Sequence, residues 1–160
     1  MNVMPDSFQS TPFKRPPGVT ILAVINGFEF ILTLVFWGFV AFERLVPFPS
    51  EVSLASERAN AAVTWGFLVG DVLFSAPLLL LAALGLYRAT SWGWSAAQMA
   101  NILWIYSMTV VLMRDAFTAL SPGGILFLPF AVIALWAIYY LWKLRDLFWN
   151  PGTNSLLRKT

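Results

Sequence analysis

Four long apolar stretches limit what this chain can fold into. They cover residues 19–42, 61–87, 93–113 and 124–142, and each has about the 20 residues that a helix needs to cross a bilayer. Because lipid offers no hydrogen-bond partners, a crossing segment has to satisfy its own backbone groups, as an α-helix does. The sequence therefore predicts an all-α integral membrane protein, a four-helix bundle whose first partner is the lipid bilayer.

The rest of the chain is too short for a second domain. We assign residues 1–18 to a proline-rich tail, residues 19–149 to the membrane bundle and residues 150–160 to a second tail. The first apolar run is longer than the core of a cleavable signal peptide, so we expect it to remain as a span. We also expect Ser50 to cap an early start of the second helix, and Pro77 to bend that helix.

The basic residues predict how the bundle is oriented. An even number of spans places both termini on one side, and cytoplasmic segments carry the excess of lysine and arginine. The tails and the turn after the second span hold Lys14, Arg15, Arg88, Lys143, Arg145, Arg158 and Lys159, whereas the other side holds Arg44, Arg58 and Arg114. We therefore expect both termini to be cytoplasmic, with the chain in the plasma membrane (the inner membrane of a bacterium).

Two residue types are missing, because the chain contains neither cysteine nor histidine. Their absence removes thiol chemistry, the commonest metal ligand and the usual general base. The remaining acid–base candidates are Glu29, Asp71 and tyrosines such as Tyr106, Tyr139 and Tyr140. We therefore expect no enzyme, no cofactor and no metal site. The net charge of +2 comes without a dense basic cluster, so we expect no nucleic-acid partner.

Two carboxyl groups lie deep in the predicted spans. Glu29 lies about eleven residues into the first helix, roughly 16 Å deep, and Asp71 lies at a similar depth in the second. An intramembrane charge costs about 2.5–3.5 kcal/mol, so each carboxyl has to be protonated, paired or turned towards the bundle. Asn26 shares the face of Glu29, and Asn101 and Arg114 lie on the third helix. These five residues are candidates for an ion- or ligand-binding site. The alternative is that the two carboxyl groups only fix helix packing.

A pair of glycines on the second helix marks a possible contact. Gly66 and Gly70 form a Gly-x-x-x-Gly pair, which lets another helix approach closely. The partner helix belongs either to the same chain or to another subunit. Both possibilities remain open from the sequence.

The features together favour a non-enzymatic accessory or assembly subunit of a larger membrane complex or of a homo-oligomer. Neither carboxyl group comes with a matching set of substrate-binding residues. The alternative is a proton- or cation-coupled small transporter or ligand-binding bundle, in which Glu29 and Asp71 bind a small hydrophobic or cationic ligand. One form of it is an aromatic pocket built from Trp65, Trp104 and Tyr106.

Overall fold

A computed structural model describes residues 15–118 and 123–149, with side chains over 15–114 and 128–149. Its helices are α1 (Pro17–Phe42), α2 (Ala55–Gly70), α3 (Ala76–Tyr87), α4 (Ser91–Thr118), α5 (Gly123–Lys143) and α6 (Arg145–Trp149). A π turn at Asp71–Ser75 makes α2 and α3 one continuous helix, and a 3₁₀ turn at Pro49–Glu51 precedes α2. These ranges contain no strand, so the prediction of an all-helical chain is confirmed.

Within the part of the chain that the structure describes, three helices are long and apolar enough to cross a bilayer, namely Pro17–Phe42, Ala55–Tyr87 and Ser91–Arg114. The fourth predicted span, 124–142, falls on α5, whose described apolar part is the shorter Leu128–Lys143. One face of α1 exposes a row of large apolar side chains, Phe28, Ile31, Val35, Phe39 and Phe42. A soluble monomer rarely exposes such a contiguous apolar surface, which indicates that the protein is embedded in a membrane.

The second helix begins later than the sequence suggested. Ser50 lies inside the 3₁₀ turn and the helix starts at Ala55, so the prediction of Ser50 as a helix cap is wrong. The Glu51 carboxylate accepts a hydrogen bond from the Phe48 backbone N–H at 3.2 Å and closes the short turn locally. Val52 then adopts an extended backbone that separates the turn from α2.

The π turn ends at Ser75, two residues before Pro77. Proline has no N–H, and its ring crowds the carbonyl four residues earlier. Before the proline, the helical turn contains one extra residue, because the Ala76 N–H donates to the carbonyl of Asp71, five residues earlier, and not to the carbonyl four residues earlier. The structure thus shows a widened turn next to the proline at which we predicted a bend. π turns are frequent at functional sites, and this one fixes the position of Asp71.

The helices pack tightly at one end of the molecule, which we call the packed end. There α1 packs against α3, α3 against α4 and α4 against α5, while α6 contacts α4 and α5. Their buried core includes Val19, Leu86, Ala97, Leu141 and Phe148. Both ends of the described chain therefore lie at the packed end. By contrast, α2 packs mainly against the two turns that flank it.

Two glycines bring α3 and α4 into backbone contact at the packed end. A Cβ built on Gly85 would collide with the backbone of Gly93, and the converse also holds. Ala89 makes the connecting turn tight by adopting a positive φ of 51°. Thr90 completes it, because its N–H donates to the Gly85 carbonyl at 2.9 Å and its Oγ1 accepts the Gly93 N–H at 3.3 Å. Small residues allow this close approach.

Candidate ligand-binding cavity

Beyond the packed end the helices diverge around a cavity of about 400 Å³. Side chains from α1, α2, the π turn, α4 and α5 line it. Its volume falls within the range of about 300–1,000 Å³ that is typical of ligand pockets. The α1 residues in its wall repeat with the period of a helix, and they are Glu29, Leu32, Thr33, Phe36, Trp37 and Val40.

Glu29 places a carboxyl group in this wall. Its side chain is only 8% exposed, and no hydrogen bond or ion pair reaches the carboxyl from the residues that the structure describes. Its oxygens are not among the fully buried polar atoms that lack a partner, so they keep accessible surface where Glu29 lines the cavity. The carboxyl of Glu29 is therefore placed to receive a partner from inside the cavity.

Asp71 lines the same cavity from the π turn, but its carboxylate has two partners. Trp37 Nε1 donates to Oδ2 at 2.8 Å, and Ser75 Oγ donates to Oδ1 at 3.0 Å. The first bond ties α1 to the continuous α2–α3 helix, and the second spans the π turn. The two carboxyl groups therefore differ, since Asp71 holds helices together whereas Glu29 faces the cavity.

Replacing Asp71 by alanine should lower the free energy of unfolding by about 1–2 kcal/mol, because two hydrogen bonds are lost at about 0.6–1 kcal/mol each. Titration with SDS in mixed micelles, followed by circular dichroism, measures the change. Asp71→Asn is the matched variant, because its amide keeps one carbonyl oxygen for the Trp37 N–H, and it should recover part of the loss. Wild-type stability in Asp71→Ala would contradict the role assigned to these bonds.

The three other candidates from the sequence divide into two groups. Asn26 and Asn101 are buried and do not line the cavity. The side-chain amide of each donates a hydrogen bond to the backbone carbonyl four residues earlier in its own helix, in both cases at 2.7 Å. Arg114 does line the cavity and has an interaction of its own. The structure therefore brings Glu29, Asp71 and Arg114 to one space and leaves the two asparagines outside it.

Aromatic rings form much of the wall, contributed by Phe36, Trp37, Phe67, Trp104 and Phe130. Trp104 and Phe130 stack with their ring centroids 5.7 Å apart. Of the aromatic residues singled out from the sequence, only Trp104 lines this cavity. Trp65 stacks on Phe48 at 4.4 Å, and Tyr106 is 64% exposed. Aromatic faces attract cations, and the described lining carries the carboxyl groups of Glu29 and Asp71 against the one guanidinium of Arg114. The cavity therefore suits a positively charged ligand.

In the described chain no other helix comes into contact with Gly66 or Gly70. A Cβ built on either glycine would have nothing within 4 Å. The backbone contact that small residues allow occurs instead at Gly85 and Gly93, which sequence reasoning did not single out. That Gly66 and Gly70 face another subunit remains a prediction.

Sequence reasoning also missed Trp37, the residue that connects α1 to Asp71. The available signal was spacing, because residues three, four, seven and eight positions apart share a helix face. Trp37 lies eight residues after Glu29 and therefore on the same side of α1. Phe67 of α2, which was not singled out from the sequence either, also lines the cavity.

Comparison with known proteins identifies no relative of this chain. No family model, no curated protein sequence and no solved structure matches it. Function therefore has to be inferred from the cavity and from the residues that line it.

Proposed function

We propose that this chain is a membrane protein that binds a small organic cation, an amine or quaternary ammonium compound with an apolar body. The observation that supports this function most directly is the carboxyl of the buried residue Glu29, which lines the cavity and receives no hydrogen bond from the described residues. A bound cation supplies the missing partner. Their attraction is stronger in a low-dielectric cavity than in water, and the aromatic rings add to it.

In the proposed topology α5 is the fourth span of a four-helix bundle in the plasma membrane. Both termini lie in the cytoplasm, and the packed end lies at the cytoplasmic face. The basic residues near that end support this orientation, because Arg15, Arg88, Lys143 and Arg145 all belong to its tails and turns. The cavity then lies in the outer half of the bilayer.

A matched pair of probes tests the proposed function. Benzyltrimethylammonium and its carbon analogue neopentylbenzene have the same shape and differ in charge. Because only the cation has an ionic partner at Glu29, it should bind at least about tenfold more tightly, a difference of about 1.4 kcal/mol. Equilibrium dialysis against the protein in nanodiscs measures both affinities, each corrected for partition into protein-free nanodiscs. Equal affinities for the two probes would contradict the proposal.

An accessory or assembly subunit is the second candidate function. The observation that favours it is the open face of α2, where nothing of the described chain lies within 4 Å of a Cβ built on Gly66 or Gly70. Native mass spectrometry after gentle extraction distinguishes the candidates. A mass that includes other polypeptides favours the subunit, whereas a single chain with a retained small molecule favours the binding protein.

A further inference from the structure

A second, shallower groove of about 420 Å³ lies beside the cavity. It runs between the α2–π-turn segment and α4, and its lining includes Gly66, Gly70, Phe74 and Tyr106. Phe74 and Tyr106 are 63% and 64% exposed. The groove therefore lies on the outer surface of helices that are long enough to span the membrane, where hydrocarbon chains surround the protein.

The groove and the cavity share a wall. Phe67, Asp71, Ser75 and Ser107 line both spaces, so these side chains are what separates them. The wall lies where the continuous helix changes from α2, which packs mainly against its flanking turns, to α3, which packs against α1 and α4. A ligand that passes this wall from the groove arrives in the space that Glu29 faces.

We propose that the groove is a lateral entrance through which a single-chain amphiphile with an amine or ammonium headgroup passes from the bilayer to Glu29. This inference rests on the proposed function and specifies the ligand class. The groove is apolar for most of its length, which suits a hydrocarbon chain. The carboxylate of Asp71 in the shared wall favours a cationic headgroup over an anionic one. Open space above Gly66 and Gly70 leaves room for the chain along the groove as far as the shared wall.

Leucine substitutions in the groove test the entrance. Gly66→Leu and Gly70→Leu put side chains into open space, and neither glycine lines the cavity. Gly38→Leu is the matched control, because Gly38 on α1 also has nothing within 4 Å of its Cβ position and lines neither space. The probe is benzyldimethyldodecylammonium dissolved in vesicles that are mixed with vesicles containing the protein. Tryptophan fluorescence follows binding.

Association should be at least about tenfold slower in both groove variants and should keep its wild-type rate in Gly38→Leu. Wild-type rates in both groove variants, with probe binding intact, would overturn the lateral entrance and leave the proposed function standing. Absence of any probe binding by the wild-type protein would overturn both. If native mass spectrometry shows that the groove variants convert a dimer to a monomer, the groove is a subunit contact and the entrance is wrong. Circular dichroism confirms that each variant is folded.

Discussion

Replacing Glu29 by glutamine should lower the affinity for benzyltrimethylammonium at least about 30-fold, or about 2 kcal/mol, the lower range for removing one partner of a buried charge pair. Glutamine keeps the size and shape of the side chain but cannot carry the negative charge. Neopentylbenzene makes only apolar contacts, so its affinity should change by less than about twofold. Equilibrium dialysis in nanodiscs measures both values.

The control for this variant is Glu43→Gln, the same chemical change at an exposed position just after α1 and outside the cavity. It should bind both probes as the wild-type protein does. Glu29→Gln should also unfold at no lower SDS fraction than the wild type, because no described residue hydrogen-bonds Glu29. If Glu29→Gln lowered the affinity for both probes equally, the cavity would have collapsed, and an ionic role for this carboxyl would be contradicted.

The second large effect is expected at the contact between α3 and α4. Gly85→Ala should lower the free energy of unfolding by about 2–3 kcal/mol, the upper part of the range for overpacking. The new methyl group meets the backbone of Gly93 and also the Trp92 ring. Because a backbone cannot rotate out of the way as a flexible side chain does, the two helices have to separate. SDS titration in mixed micelles, followed by circular dichroism, measures the change.

Gly38→Ala is the control for this prediction, since it adds the same methyl group to a helix at a position with nothing within 4 Å. It should leave stability unchanged or raise it by up to about 1 kcal/mol, the helix-propensity difference between the two residues. Gly93→Ala should behave like Gly85→Ala, because each glycine meets the other. Equal stability of Gly85→Ala and Gly38→Ala would show that the close approach does not limit packing.

The long apolar stretches made the helices predictable, because length and composition decide whether a segment can cross a bilayer. The start of α2 was not predictable in the same way. Ser50 and Glu51 have the local pattern of a helix start, but the carboxylate of Glu51 closes a separate turn with Phe48. A local signal of this kind marks a turn without fixing how far the helix continues.

The depth predicted for Glu29 and Asp71 within their spans singled out both carboxyl groups but could not separate their roles. The difference arises from Trp37, which lies 34 residues before Asp71 in the chain and donates a hydrogen bond to it. Such a contact depends on how two helices pack, and no local pattern encodes it. The glycines were unpredictable for the same reason. The spacing of Gly66 and Gly70 permits another helix to approach closely but does not identify that helix.

The most direct test of ligand binding in the cavity is the reactivity of a single thiol placed in its wall. The chain contains no cysteine, so Thr33→Cys introduces the sole thiol there, and Thr109→Cys introduces one on an exposed position of α4 outside it. With benzyltrimethylammonium at ten times its Kd, alkylation by N-ethylmaleimide should slow about tenfold in Thr33→Cys, because roughly one site in ten stays empty. The rate in Thr109→Cys should not change. Identical rates with and without the probe in Thr33→Cys would contradict binding in this cavity.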